Sequence, residues 1–217
     1  MKRSFALAVV VLGLGLPLHA SNLILNASFE FGNFVPNGQD AMSLSAGATD
    51  MTGWTVLTNS LAWIGPSNPF GLTASDGSYF LDLSGYHDNA PYAGVEQTQT
   101  IPTTIGVQYQ LSLDIGTDPS YDSLPVSVFV SADAASTTFT STPLNANQWQ
   151  TFTFDFTATS ANTSITLLGQ VASDQSVEYI GLDNVSVVSV PEPSTLMLLA
   201  GPGLLAFAAW RRLQKKT

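Results

Sequence analysis

The chain has 217 residues, 45% of them apolar, with 16 Asp and Glu against 6 Lys and Arg and no cysteine. All six cations lie at the two ends (Lys2, Arg3, Arg211, Arg212, Lys215, Lys216), so residues 21–190 hold every carboxylate except Glu192 and no fixed positive charge. Nucleic-acid binding is thereby excluded for want of phosphate partners, a disulfide framework is excluded outright, and anionic polysaccharides or lipid headgroups would be repelled unless divalent cations bridged them.

In chain order, Lys2 and Arg3 precede an apolar run from Phe5 to Leu16 and then Pro17-Leu18-His19-Ala20. This order predicts a secretory signal peptide over 1–20, cleaved after Ala20. The run is too short for a permanent span of about 30 Å of hydrocarbon, which takes about 20 residues.

Residues 21–190 follow, enough for one domain with a real core. Val107, Tyr109, Leu111, Leu113 and Ile115 alternate with Gln108, Gln110, Ser112 and Asp114, and Phe152, Phe154 and Phe156 alternate with Thr151, Thr153 and Asp155. Such period-two patterns predict half-buried strands. Further strands are expected over 23–25, 54–57, 62–64, 79–83, 94–100, 125–130, 137–140, 165–168 and 179–188, separated by Gly, Asn, Asp, Pro and Ser. No segment of the domain has helical periodicity. About ten antiparallel strands predict an all-β chain folded as a jelly-roll β-sandwich. Within the last strand, Ile180 and Leu182 occupy even positions and Val185 and Val187 odd ones. Two readings fit: a β-bulge at Asp183-Asn184 that re-aims Asp183, or a strand buried on both faces.

At the far end, Pro191-Glu192-Pro193 leads into an apolar segment over 195–210, broken by Gly201-Pro202-Gly203, and then a basic tail over 211–217. By the positive-inside bias the tail stays cytoplasmic and the domain faces the exported side. So short and interrupted a helix predicts transient membrane insertion. The order of Pro191, Glu192 and Pro193, apolar helix and cationic end resembles the PEP-CTERM sorting signal of bacterial surface proteins. That resemblance implies an exosortase-type processing enzyme as partner, and a location at the cell surface, outer membrane or extracellular matrix of a Gram-negative-type bacterium.

Four segments carry a second resemblance: Asn22-Leu23-Ile24-Leu25-Asn26-Ala27-Ser28-Phe29-Glu30, Gly53-Trp54, Asp76-Gly77-Ser78-Tyr79-Phe80-Leu81-Asp82-Leu83, and Gly181-Leu182-Asp183-Asn184-Val185-Ser186-Val187. Together they resemble the galactose-binding-like β-sandwich of many carbohydrate-binding modules. The resemblance implies a structural calcium joining first and last strands, with Glu30 and Asp183 at the matching positions and Asp76 as a weaker third. Calcium takes six to eight hard oxygen ligands, which carboxylates and carbonyls supply, and in a domain without cations it would relieve carboxylate crowding.

Sugar recognition calls for flat apolar faces and planar polar groups. The loop-like stretches Tyr86-His87-Asp88-Asn89 with Tyr92, and Tyr121-Asp122, offer both. Trp54 and Trp63, placed in strands, are expected in the core. No nucleophile elbow accompanies His87, the domain's one histidine, so no catalytic residue is assigned. The expectation is a non-enzymatic, exported protein that binds a neutral polysaccharide through a calcium-stabilised sandwich. The alternatives are a structural matrix component without a specific sugar and a glycan hydrolase built on a carboxylate pair.

Overall fold

Alternating side chains on pleated backbone give this chain two apolar sheet faces, and these must be buried against each other. The computed structural model describes residues 21–86, 90–118, 120, 125–141, 148–170 and 179–191. The expected signal peptide, apolar sorting helix and basic tail lie outside the described residues, as do Glu192 and Pro193. No helix among the described residues is long and apolar enough to cross a membrane.

Thirteen strands are present among the described residues: β1 (Ala41–Leu44), β2 (Trp54–Leu57), β3 (Leu61–Ile64), β4 (Phe80–Asp82), β5 (Gly94–Gln97), β6 (Ile101–Pro102), β7 (Gln108–Thr117), β8 (Val126–Ala132), β9 (Ala135–Ser141), β10 (Gln148–Thr157), β11 (Asn162–Thr163), β12 (Ile165–Gln170) and β13 (Gly181–Ser189). They form a six-stranded sheet in the order β1-β3-β4-β13-β7-β10, a five-stranded sheet in the order β2-β5-β12-β8-β9, and a small β11-β6 pair. Every pairing is antiparallel. The expected antiparallel β-sandwich is the fold.

Between the two sheets lies the main core. Trp54, Val56, Val95, Val126, Val128, Val130, Ile165 and Leu167 come from one sheet, and Trp63, Leu81, Leu111, Leu113, Ile115, Leu182 and Val187 from the other. Both tryptophans are buried as expected. Each indole N–H holds the first segment of the domain: Trp54 donates to the Asn26 carbonyl at 2.9 Å and Trp63 to the Phe29 carbonyl at 3.0 Å. A second, smaller core lies on the far side of the six-stranded sheet, where Leu72 and Phe70 of the 65–79 segment cover Ala41, Ala62, Ile64, Phe80 and Tyr179. Trp149 of β10 pins that cover by donating its indole N–H to the Thr73 carbonyl at 2.8 Å.

Two expectations need correction. Residues 23–25 form no strand; they enter a turn in which Asn26 and Phe29 adopt φ of 56° and 58°. The segment nevertheless runs beside β13, with Leu23 N donating to the Val187 carbonyl at 2.9 Å and Val185 N donating to the Ala27 carbonyl at 2.9 Å. The strand expected over 94–100 ends at Gln97, and β1, β6 and β11 are additional. At Asp183-Asn184 the bulge is real: the β13–β7 register shifts between Asp183 and Ser186, and Asn184 takes φ 51°.

Candidate functional site

Glu30, Asp76 and Asp183, the three expected metal ligands, gather around one turn, residues 75–79. Glu30 Oε1 accepts the backbone N–H of Ser78 at 2.7 Å and of Tyr79 at 2.8 Å. Asp183 Oδ2 accepts the N–H of Ser75 at 2.7 Å and of Asp76 at 3.0 Å, and its Oδ1 accepts that of Asn184 at 2.7 Å. Asp76 Oδ2 accepts the Ser28 hydroxyl at 2.6 Å. The turn tolerates this crowding because residue 77 is glycine: its φ is +72°, and a Cβ there would collide with Glu30 Oε1. One turn thus ties Ser28 and Glu30 to the final strand.

Asp183 is fully buried. Burial pushes its carboxyl up from 3.8 to about 7; repulsion from Asp76 adds to this, while the three backbone N–H donors oppose it. The donor set is all oxygen, the set calcium takes, and a buried carboxylate short of positive charge is the electrostatic deficit a divalent cation would relieve. Among the described residues, however, no three acidic or histidine side chains gather closely enough to hold one ion by themselves. Calcium here would draw on backbone carbonyls as well.

Sugar-contact candidates fare unevenly. Tyr86 is exposed, with its hydroxyl accepting the Asn37 side-chain N–H at 3.0 Å. Tyr92 packs into the main core. His87, Asp88, Tyr121 and Asp122 lie outside the described residues.

A surface that the alternation argument passed over is the outer face of the five-stranded sheet. Leu57, Gly94, Leu168, Phe129 and Thr138 are successive register partners across all five strands, so they form one row on one face. Leu57, Leu168 and Phe129 are half-buried and Thr138 is exposed. The row is flanked on one side by Thr55, Glu96, Thr166, Ser131 and Ser136, and on the other by Gln170, Ser127 and Thr140. Gly94 is what lets the row close, since a Cβ there would strike the Leu168 side chain and the Leu167 carbonyl. Strand spacing of about 4.8 Å makes the row roughly 19 Å long. The signal was in the sequence: Leu57, Leu168 and Phe129 are large apolar residues at the solvent-facing parity of β2, β12 and β8.

The carbohydrate binding domain family matches residues 21–173. The chain belongs to that family. The PEP-CTERM protein-sorting motif matches residues 189–212 of this carbohydrate-binding protein. No curated protein sequence matches it. Among solved structures, it is similar to TmCBM61 in complex with β-1,4-galactotriose, with 15% identity, 79% of this chain and 100% of that chain covered and a TM-score of 0.48. It is similar also to a family 35 carbohydrate binding module from Clostridium thermocellum (11% identity, 69% and 99% covered, TM-score 0.46). The arabinose-bound α-L-arabinofuranosidase MgGH51 is a third (16% identity, TM-score 0.49), in which the match covers 78% of this chain and 26% of that one.

Proposed function

We propose that this carbohydrate-binding protein is exported, retained at the cell surface through its PEP-CTERM signal, and binds a neutral polysaccharide non-catalytically across the outer face of its five-stranded sheet. The observation that carries the reading is the row Leu57-Gly94-Leu168-Phe129. An apolar floor suits the C–H faces of sugar rings, and the Gln170 amide, the Glu96 carboxylate and the flanking hydroxyls suit ring hydroxyls. The family membership supports a sugar as ligand. The absence of Lys and Arg from residues 21–190 favours a neutral one.

The sorting motif supports an exosortase-type enzyme as the processing partner, and we place the domain boundaries at 20/21 and 190/191. For calcium, Glu30 and Asp183 would supply side chains and Asp76 a third oxygen, and the ion would tether the first segment to β13; the all-oxygen donor set and the buried Asp183 support this.

Calorimetric titration of neutral polysaccharides in calcium buffer tests the ligand. We expect saturable binding to at least one glycan, reduced about tenfold or more by Phe129→Ala, a loss of about 1.4 kcal/mol. Binding that survives Phe129→Ala, Glu96→Gln and Gln170→Ala unchanged removes this face from consideration. Heat-free titrations throughout remove the ligand.

A further inference from the structure

A β-sandwich has two open sides, each formed by the edge strands of its two sheets, and exposed edges invite pairing with other chains. On one side of this molecule the edges are β1 and β2, four residues each. Both are capped by the chain's own backbone. Gly47 N donates to the Val56 carbonyl at 2.8 Å, Val56 N donates to the Ala48 carbonyl at 3.0 Å, and Asn37 N donates to the Ala41 carbonyl at 2.9 Å. The other side differs in every respect. Its edges are β9, seven residues, and β10, ten residues. Among the described residues no backbone group of β9 bonds outside its ladder with β8, and none of β10 outside its ladder with β7.

The usual protections are also missing from β9. It has no Lys, no Pro, no charged residue of any kind, and an unbroken register from Ala135 to Ser141. Beside it, Phe139 of β9 stacks on Phe152 of β10 at 5.0 Å, and Phe139, Phe152 and Phe154 all remain half-buried. Among the described residues, this side therefore presents backbone groups without a partner next to half-buried aromatic rings.

We infer that β9 pairs antiparallel with β9 of a second copy, joining two five-stranded sheets into one about a two-fold axis at Thr138. A second copy is the occupant that the strand itself suits. Residue 138 is the midpoint of β9, so full overlap sets Thr138 opposite Thr138, Ser136 opposite Thr140, and Thr137 opposite Phe139. Small hydroxyl side chains meet on the outer face, where Ser136, Thr138 and Thr140 are exposed. Two copies of a domain with fifteen carboxylates and no cation repel each other, and β9 is an edge along which no carboxylate would face its like. Because the opposite side is short and capped, the contact is isologous and closes as a dimer rather than growing into a fibre.

The chain has no cysteine, so single introduced cysteines report the contact in the purified full-length protein. Opposed residues of an antiparallel pair have Cα atoms about 4.5 to 5.5 Å apart, within the span a disulfide bridges. Under mild oxidation, Thr138→Cys should give a covalent dimer in several-fold higher yield than Ser43→Cys on the exposed face of β1. A mixture of Ser136→Cys and Thr140→Cys chains should cross-link more than either alone. Thr138→Lys, which sets two ammonium groups face to face, should shift sedimentation from dimer to monomer with an unchanged far-ultraviolet circular dichroism spectrum, its melting temperature lower only by the association lost. A Thr138→Cys yield no higher than that of Ser43→Cys, or a Thr138→Lys protein that sediments as the wild type does, overturns the pairing. Glycan titration of the wild type at protein concentrations below those at which it sediments as a dimer separates this inference from the ligand reading, because Thr138 itself borders the proposed sugar face.

Discussion

Asp114 and Asp183 are direct register partners on β7 and β13, two buried carboxylates side by side on the covered face of the six-stranded sheet. Two residues bridge them. Ser75 donates its N–H to Asp183 Oδ2 at 2.7 Å and its hydroxyl to Asp114 Oδ2, and Asn184 donates its N–H to Asp183 Oδ1 at 2.7 Å and its side-chain N–H to Asp114 Oδ2 at 3.0 Å. Thr151 closes the other side, its hydroxyl 2.6 Å from Asp114 Oδ1. Each carboxylate is satisfied by neutral donors, and among the described residues no cationic side chain pairs with either.

That arrangement fixes a pH dependence. Asp183 has its folded value raised to about 7 from 3.8, so between those limits the native state binds a proton that the unfolded chain has released. Stability contributed by this group is complete below pH 3.8 and is lost as pH rises through about 7. In chelating buffer, urea melts should therefore yield a contribution that declines from mildly acidic to neutral pH, and Asp183→Asn should flatten the curve over that interval. A wild-type curve that rises monotonically and is unaltered by Asp183→Asn contradicts the burial argument.

Calcium should act on the same seam. A ligand bound only by the native state adds about 2.7 kcal/mol at a hundredfold excess over its dissociation constant, and each kcal/mol moves the melting temperature of a chain this size by about 2 to 4 °C. Chelation should lower the melting temperature by several degrees. Glu30→Gln tests the assignment more cleanly than alanine, because an amide oxygen still accepts the Ser78 and Tyr79 N–H groups while the charge is gone. The variant should fold and show little response to the chelator. An equal response in Glu30→Gln removes Glu30 from the site.

How much of this was readable in the sequence depended on which force fixed each element. β7, β10 and β13 are long, and period-two alternation gave their faces directly; the parity change at Asp183-Asn184 left a bulge and a strand buried on both faces both open, and the register shift against β7 decides for the bulge. β1 reads Ala-Met-Ser-Leu, too short and irregular for periodicity, and is a strand because β3 pairs with it. Residues 23–25 look like a strand, but the left-handed turns at Asn26 and Phe29, stabilised by the indoles of Trp54 and Trp63, override that local preference. The second core was hidden because Phe70 and Leu72 lie in Gly- and Pro-rich sequence that resembles a bare loop. At the acidic seam, Glu30 and Asp183 were identifiable by resemblance, whereas the buried Asp114 next to them was visible only as the polar half of an alternating strand.

The tryptophan tethers carry a third prediction. Replacing Trp63 by Phe keeps most of the apolar bulk but leaves the Phe29 carbonyl, buried with its residue, without the 3.0 Å indole donor. An orphaned buried acceptor costs about 1 to 3 kcal/mol, and Trp63→Ala, which also empties a core site, should cost about 3 to 5 kcal/mol. Denaturant midpoints measure both. A Trp63→Phe protein as stable as the wild type shows that the first segment is held by packing alone.

The floor of the five-stranded sheet gives the last prediction, because Gly94 links stability to the proposed sugar surface. A methyl group there meets the Leu167 carbonyl, which belongs to the neighbouring strand's backbone and cannot swing aside, as well as the Leu168 side chain. Overpacking of this kind costs about 1 to 3 kcal/mol, and the strain is relieved most easily by lifting Leu168 out of its row. Gly94→Ala should therefore be destabilised by that amount and should also weaken glycan binding beyond what partial unfolding explains, measured well below its melting temperature. Phe129→Ala, on β8 and separated from Gly94 by β12, should weaken binding while losing less stability, since that ring is only half-buried on the outer face. If Gly94→Ala loses stability yet binds glycan as the wild type does, the Leu57-Leu168-Phe129 row is a structural feature and the sugar sits elsewhere on the molecule.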